Sequence, residues 1–149
     1  LPFISEYENH DKRNVEKEIS CLEEEKQTKN LKVLIVEDDA ISKLLITIAV
    51  KPFSREIIKV STGIEAIEIC RKFPDIDLVM MDINLPEMGG YEATNEIRKF
   101  NKNIVIIAQT ANGMQSDHDN AIKAGCNDYI SKPINISTLS KLICKNFKK

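Results

Sequence analysis

No apolar run in this chain comes near the roughly 20 residues that a membrane-spanning helix needs, and no basic-then-apolar leader opens it. Charge of one sign is lacking too: 21 Lys and Arg stand against 23 Asp and Glu, a formal net charge of -2. Such a balance offers no electrostatic footprint for nucleic acid or for an anionic membrane surface. Histidines are scarce, and His10 and His118 lie too far apart for metal-ligand spacing. The four cysteines, at 21, 70, 126 and 144, form no CxxC pair. Cys70 and Cys144 fall within helical apolar patterns, where a thiol acts as a small hydrophobe. Structural thiols in a reducing compartment are therefore favoured over disulfides or a metal, and a cytoplasmic location is expected.

What is present is enough for one domain with a core: 149 residues, 42% hydrophobic and 30% charged. Residues 1–30 are mostly charged and polar, with only Val15, Ile19 and Leu22 recurring at helical spacing. That stripe is too thin for a core and fits a linker, a short coiled-coil segment or a disordered tail. From Lys32 the pattern changes to short apolar runs: "KVLIV" (32–36), "EIIKV" (56–60), "DLVMM" (77–81), "NIVIIA" (103–108) and "DYIS" (128–131). Most are continuous rather than alternating, as in strands buried on both faces of a parallel sheet.

Amphipathic segments separate the runs. Ile41, Leu44, Leu45, Ile48 and Ala49 form one expected core face, and Ile64, Ile67 and Cys70 a second. Ala93, Ile97 and Phe100 form a third, then Met114, His118, Ala121, Ile122 and Gly125 a fourth. Ile136, Leu139, Leu142, Ile143 and Phe147 close the chain with a fifth. Turn residues punctuate the units at Pro52, Gly63, Pro74, Pro86, Gly89, Gly90, Gly113 and Gly125. Strict alternation predicts an α/β fold: a flavodoxin-like, doubly wound five-stranded parallel sheet, order 2-1-3-4-5, with five flanking helices.

That order gives meaning to "LVMMDINLPEMGG" (78–90), where a buried apolar run ends on an acid. A carboxylate there is costly to desolvate unless a partner compensates it. The carboxyl ends of all five strands open onto one crevice. Glu37 and Asp38 follow strand 1, Asp82 ends strand 3, Thr110 follows strand 4 and Lys132 strand 5. With neighbouring strands about 4.8 Å apart, the three acids come together. Three carboxylates so close repel, and a hard divalent cation such as Mg²⁺ relieves the conflict. Lys132 and the Thr110 hydroxyl can neutralise and donate to phosphoryl oxygens, leaving Asp82 as a nucleophile that becomes an aspartyl phosphate. Each residue alone has an ordinary explanation, and Asp39 is expected to cap the first helix. Together, at the same end of four strands, they are specific.

Here residues 31–149 resemble the receiver domain of two-component response regulators, through "KVLIVEDD", "LVMMDINLPEMGGYEA", "IIAQTA" and "AGCNDYISKPI". The resemblance implies a Mg²⁺ site made by Glu37, Asp38, Asp82 and the backbone carbonyl of Asn84, with Asp82 as phosphoacceptor. Glu37 stands where the family often has Asp, and its longer arm leaves direct or water-mediated contact open. The resemblance further implies that Thr110 and Lys132 contact the phosphoryl group, that Tyr129 is an aromatic switch, and that Lys132–Pro133 is a cis peptide. Its readout surface is expected on helix 4, strand 5 and helix 5.

Two rivals fail on residues. A haloacid-dehalogenase-like aspartyl-phosphate phosphatase resembles DxDx[TV] at its nucleophile loop, whereas Asn84 and Pro86 stand here and remove its general acid. A flavodoxin-like redox module needs a phosphate loop after strand 1, where "EDDA" would repel a phosphate. The opening at Leu1 rather than Met, the linker-like lead and the end at Lys149 suggest the C-terminal receiver of a hybrid sensor histidine kinase, whose parent chain could be anchored in the inner membrane. The donor is then a phosphohistidine on the same chain or its dimer partner, and the next acceptor a histidine phosphotransfer domain. The alternative is a stand-alone regulator acting by protein binding.

Overall fold

The computed structural model describes residues 30–111 and 115–147, so the reading of the first thirty residues as a linker lies almost wholly outside the described residues. The elements run β1 (Leu31–Val36), α1 (Ala40–Val50), a 3-10 turn (Lys51–Phe53), β2 (Ser54–Val60) and α2 (Gly63–Lys72). They continue with β3 (Leu78–Asp82), α3 (Gly90–Arg98), β4 (Val105–Thr110), α4 (Gln115–Ala124), β5 (Asp128–Ser131) and α5 (Ile136–Phe147). All strand pairs are parallel, in the order β2-β1-β3-β4-β5.

The continuous apolar runs follow from burial on both faces. In β1, Leu34 and Val36 pack toward α2, α3 and α4, while Val33 and Ile35 pack toward α1 and α5. The same alternation sends Val79 and Met81 to the first core and Leu78 and Met80 to the second. Each fully buried Leu or Ile contributes roughly 1.5–3 kcal/mol relative to an exposed one.

The helices settle their phases less obviously. α1 buries Ile46, Ala49 and Val50, and the face continues into Phe53. Of the face expected from periodicity only Ala49 is buried; Ile41, Leu44 and Ile48 are 72%, 59% and 49% exposed. The segment "AISKLLITIAV" is apolar nearly all round, so two phases fit helical spacing and contact with the sheet selects one. Ile64, Phe100, Ile122 and Ile136, each at the edge of an expected face, are likewise exposed. The centres of those faces are buried as expected, at Cys70, Ala93 and Ile97, Ala121, and Leu139 and Ile143, with Ala66 added beside Cys70. Met114 lies outside the described residues.

The caps are local chemistry. Asp39 accepts from the Ser42 N–H at 2.8 Å and caps α1, which holds its carboxyl below the ordinary range. Thr62 caps α2: its hydroxyl oxygen accepts from the Glu65 N–H at 3.1 Å, and the hydroxyl donates to Glu65 Oε1 at 3.0 Å. Of the two glycines opening α3, Gly90 is the constrained one: a Cβ there would fall on the Asp82 carbonyl oxygen. The Gly90 N–H donates to Ile83 O at 3.1 Å, so the start of α3 is pressed against the end of β3.

Candidate phosphoacceptor site

Strand register assembles the site. Val36 pairs with Met81, which brings Glu37 beside Asp82, and Asp82 pairs with Gln109 on β4. Asp82 and Glu37 are 2% and 0% exposed, whereas Asp38 is exposed at the mouth. Oxygens from Glu37, Asp38 and Asp82 all lie within 4.8 Å of one another. That spacing and all-oxygen chemistry fit a hard divalent cation.

Lys132 enters from two strands away. Its N–H donates to Thr110 O at 2.7 Å, and its peptide bond to Pro133 is cis, as the resemblance implied. Lys132 Nζ lies 2.9 Å from Glu37 Oε2 and 3.1 Å from Asp82 Oδ2. The first contact is an ion pair without an aligned hydrogen bond. Burial disfavours the charge on Lys132, but the two carboxylates outweigh it and hold the ammonium above the ordinary lysine range. Glu37 is pushed up by burial, against the pull of Lys132 and of the Asp39 N–H, with Asp82 adding repulsion.

Backbone groups hold the carboxylates. The Asn84 N–H donates to Asp82 Oδ1 at 3.0 Å, and the Asp39 N–H to Glu37 Oε1 at 3.1 Å. Asp82 Oδ2 remains directed at Lys132. Thr110 is 2% exposed, and its hydroxyl has no hydrogen-bond partner among the described residues. A buried hydroxyl left so is a donor awaiting an acceptor. Tyr129 is half-buried, its ring 4.9 Å from that of His118 on α4. Tyr91 on α3 donates to Asp117 O at 3.2 Å, a second tether on α4.

All the residues expected at the strand ends are therefore brought together. Sequence reading passed over Gln109, fully buried next to Thr110; its one signal is a long polar side chain inside the run "VIIAQT".

The sequence model of the response regulator receiver domain matches residues 33–144. The chain belongs to the response regulator receiver domain family. Among curated receiver-containing proteins it is 33% identical over 143 residues to the response regulator mcs4 of Schizosaccharomyces pombe, covering 76% of this chain and 27% of mcs4. The co-crystal structure of the Saccharomyces cerevisiae histidine phosphotransfer signaling protein Ypd1 with the receiver domain of its downstream response regulator Ssk1 matches with a TM-score of 0.72 and 33% identity. That match covers 78% of this chain and 88% of the other. The receiver domain of the sensor histidine kinase PA1611 from Pseudomonas aeruginosa, solved with a magnesium ion in its active site cleft, matches with a TM-score of 0.69 and 33% identity. It covers 78% of this chain and 96% of that one. Receiver domains of both response regulators and histidine kinases are thus similar to this one, and its part in two-component phosphorelay signal transduction follows.

Proposed function

We propose that this receiver accepts a phosphoryl group from a phosphohistidine onto Asp82. One Asp82 carboxylate oxygen attacks phosphorus, the P–N bond breaks, and the histidine nitrogen leaves with the electron pair. The observation that carries the reading is the Asp82 carboxylate, buried at the end of β3 yet 3.1 Å from a cation and within 4.8 Å of two further acids. A carboxylate in that position is oriented by the Asn84 N–H and charge-balanced for in-line attack. Glu37, Asp38, Asp82 and the Asn84 carbonyl would hold Mg²⁺, which when bound offsets the negative charge of the acids and of the incoming phosphoryl group. Lys132 and the unpartnered Thr110 hydroxyl meet its remaining oxygens. Incubation with acetyl phosphate and Mg²⁺ tests this: one base-labile phosphoryl group is expected, and none on Asp82→Asn.

The partner reading rests on α1. Ile41, Leu44 and Ile48 recur at helical spacing, are exposed, and start three residues beyond Asp38 of the site. This apolar stripe suits an apolar helical face of a histidine phosphotransfer domain that brings its phosphohistidine to Asp82. The Ypd1–Ssk1 receiver complex, similar in fold and 33% identical, supports that choice of partner.

Readout is proposed on α4, β5 and α5, where Tyr129 turns inward as Thr110 is drawn to the phosphoryl group. An open groove of about 420 Å³ lined by Asp128, Tyr129, Ser131, Asn135, Thr138 and Leu142 supports binding there. The parent is read as a cytoplasmic signalling region of a hybrid histidine kinase, with a stand-alone regulator as the alternative. Among the described residues no helix is long and apolar enough to cross a membrane. The upstream sequence of the parent chain separates the two readings.

A further inference from the structure

The described residues hold four buried side-chain atoms without a hydrogen-bond partner: Glu37 Oε2, Thr110 Oγ1, and both amide atoms of Gln109. All stand at the carboxyl ends of β1 and β4. Glu37 Oε2 has its ion contact with Lys132, and the Thr110 hydroxyl has a role in the proposed site. Gln109 has neither, although it is 0% exposed. A buried primary amide without partners is costly, and an apolar side chain of the same size would avoid that cost.

Register locates the amide. Gln109 pairs with Asp82 on one side and with Ile130 on the other. Strand alternation puts it on the face of Ile107, which packs toward α1 and α5 with Met80 and Ile35. Asp82 and Glu37 share that face, two residues beyond Met80 and Ile35. Lys132 follows Ile130 by two residues and reaches back to Asp82 on β3 and Glu37 on β1, so its stem crosses the end of β4. An ammonium has three N–H donors. Glu37 Oε2 and Asp82 Oδ2 lie 2.9 and 3.1 Å from Lys132 Nζ, and the amide oxygen of Gln109, on the strand between, is a buried acceptor left unused.

We propose that Gln109 is a positioning residue for phosphoryl transfer, its side-chain carbonyl taking an ammonium proton of Lys132 through one buried water. The inference rests on the reading of Asp82 as phosphoacceptor. As the attacked Asp82 oxygen becomes the bridge of an acyl phosphate it loses its charge, and Glu37 alone would draw Lys132 toward β1. A neutral acceptor on β4 holds the ammonium over β3, where the phosphoryl oxygens need it, without competing for it as another carboxylate would.

The test compares wild type with Q109M, Q109L and Q109N, using acetyl phosphate and Mg²⁺ and following both labelling and thermal unfolding. Q109M and Q109L should unfold no lower than wild type, bind Mg²⁺ with unchanged affinity, and take the phosphoryl group about tenfold more slowly, the loss of one charge-assisted hydrogen bond. Q109N, which keeps an amide at shorter reach, should recover part of the rate. In the ¹⁹F spectrum of the beryllofluoride complex, the fluorine facing Lys132 should shift in Q109M, which a packing role would not cause. Labelling of Q109M within twofold of a labelled wild type overturns this proposal alone. A wild type that takes no phosphoryl group overturns it together with the reading of Asp82. Failure of both apolar variants to fold overturns it as well, because the fold rather than the reaction would then require the amide.

Discussion

Lys132 and Asp82 belong to segments separated by the whole width of β4, yet their charged atoms meet at 3.1 Å. The contact exists because parallel register aligns the strand ends and because Lys132 is itself anchored on β4 through Thr110 O. A buried carboxylate with one such partner is poised rather than neutralised, since Glu37 shares the same ammonium.

Asp82→Asn keeps the shape of the site and removes the nucleophile. Labelling by a phosphodonor should be abolished, and mass spectrometry of intact protein reads the outcome. Undiminished labelling of the variant would falsify the assignment.

Asp38 is the exposed member of the acid cluster, so its removal leaves the buried pair in place. Asp38→Ala should weaken Mg²⁺ on the order of tenfold or more and, by relieving repulsion, raise the melting temperature in metal-free buffer. Calorimetric titration and thermal melts in EDTA check the two effects. Equal Mg²⁺ affinity would remove Asp38 from the metal site.

Gly90→Ala puts a methyl group on the Asp82 carbonyl. Overpacking of this kind costs about 1–3 kcal/mol. The displaced backbone carries the phosphoacceptor, so labelling should slow together with the loss of stability. Gly89→Ala is the control: its Cβ would meet only the Ile83 carbonyl oxygen at 3.7 Å, an ordinary contact. Denaturant melts of both variants should separate them.

Glu or Lys at Ile41, Leu44 or Ile48 should leave fold and acetyl phosphate labelling intact, because these side chains are exposed. Transfer from a phosphorylated histidine phosphotransfer domain should fall by about tenfold for the most central of them. Unchanged transfer in the triple variant would move the docking surface off α1.

Cys70 and Cys126 are buried, and burial pushes each thiol from 9.0 up to about 11. Both should resist alkylation of the native protein at pH 8 and react on unfolding. A raised native value contributes stability that is whole below pH 9 and is lost as pH rises toward 11, roughly 3 kcal/mol for each thiol. Melting temperatures measured from pH 8 to pH 11 should decline across that window.

Strand positions, sheet order and the four strand ends bearing acids, hydroxyl and lysine were legible in the amino-acid order. Continuous apolar runs have one physical meaning, burial on both faces, and strict alternation with helices leaves few topologies. Helix faces were legible only in part. "AISKLLITIAV" fits two phases equally, and packing on the sheet decided that Ile46 and Ala49 turn inward while Ile41, Leu44 and Ile48 stay exposed. Gln109 was hidden for a related reason: one polar residue in a buried run has no periodicity to mark it. Register alone brings it beside Asp82. Spacing along the chain carries information about neighbours a few residues away, whereas contacts across strands are set by the burial of both sheet faces at once.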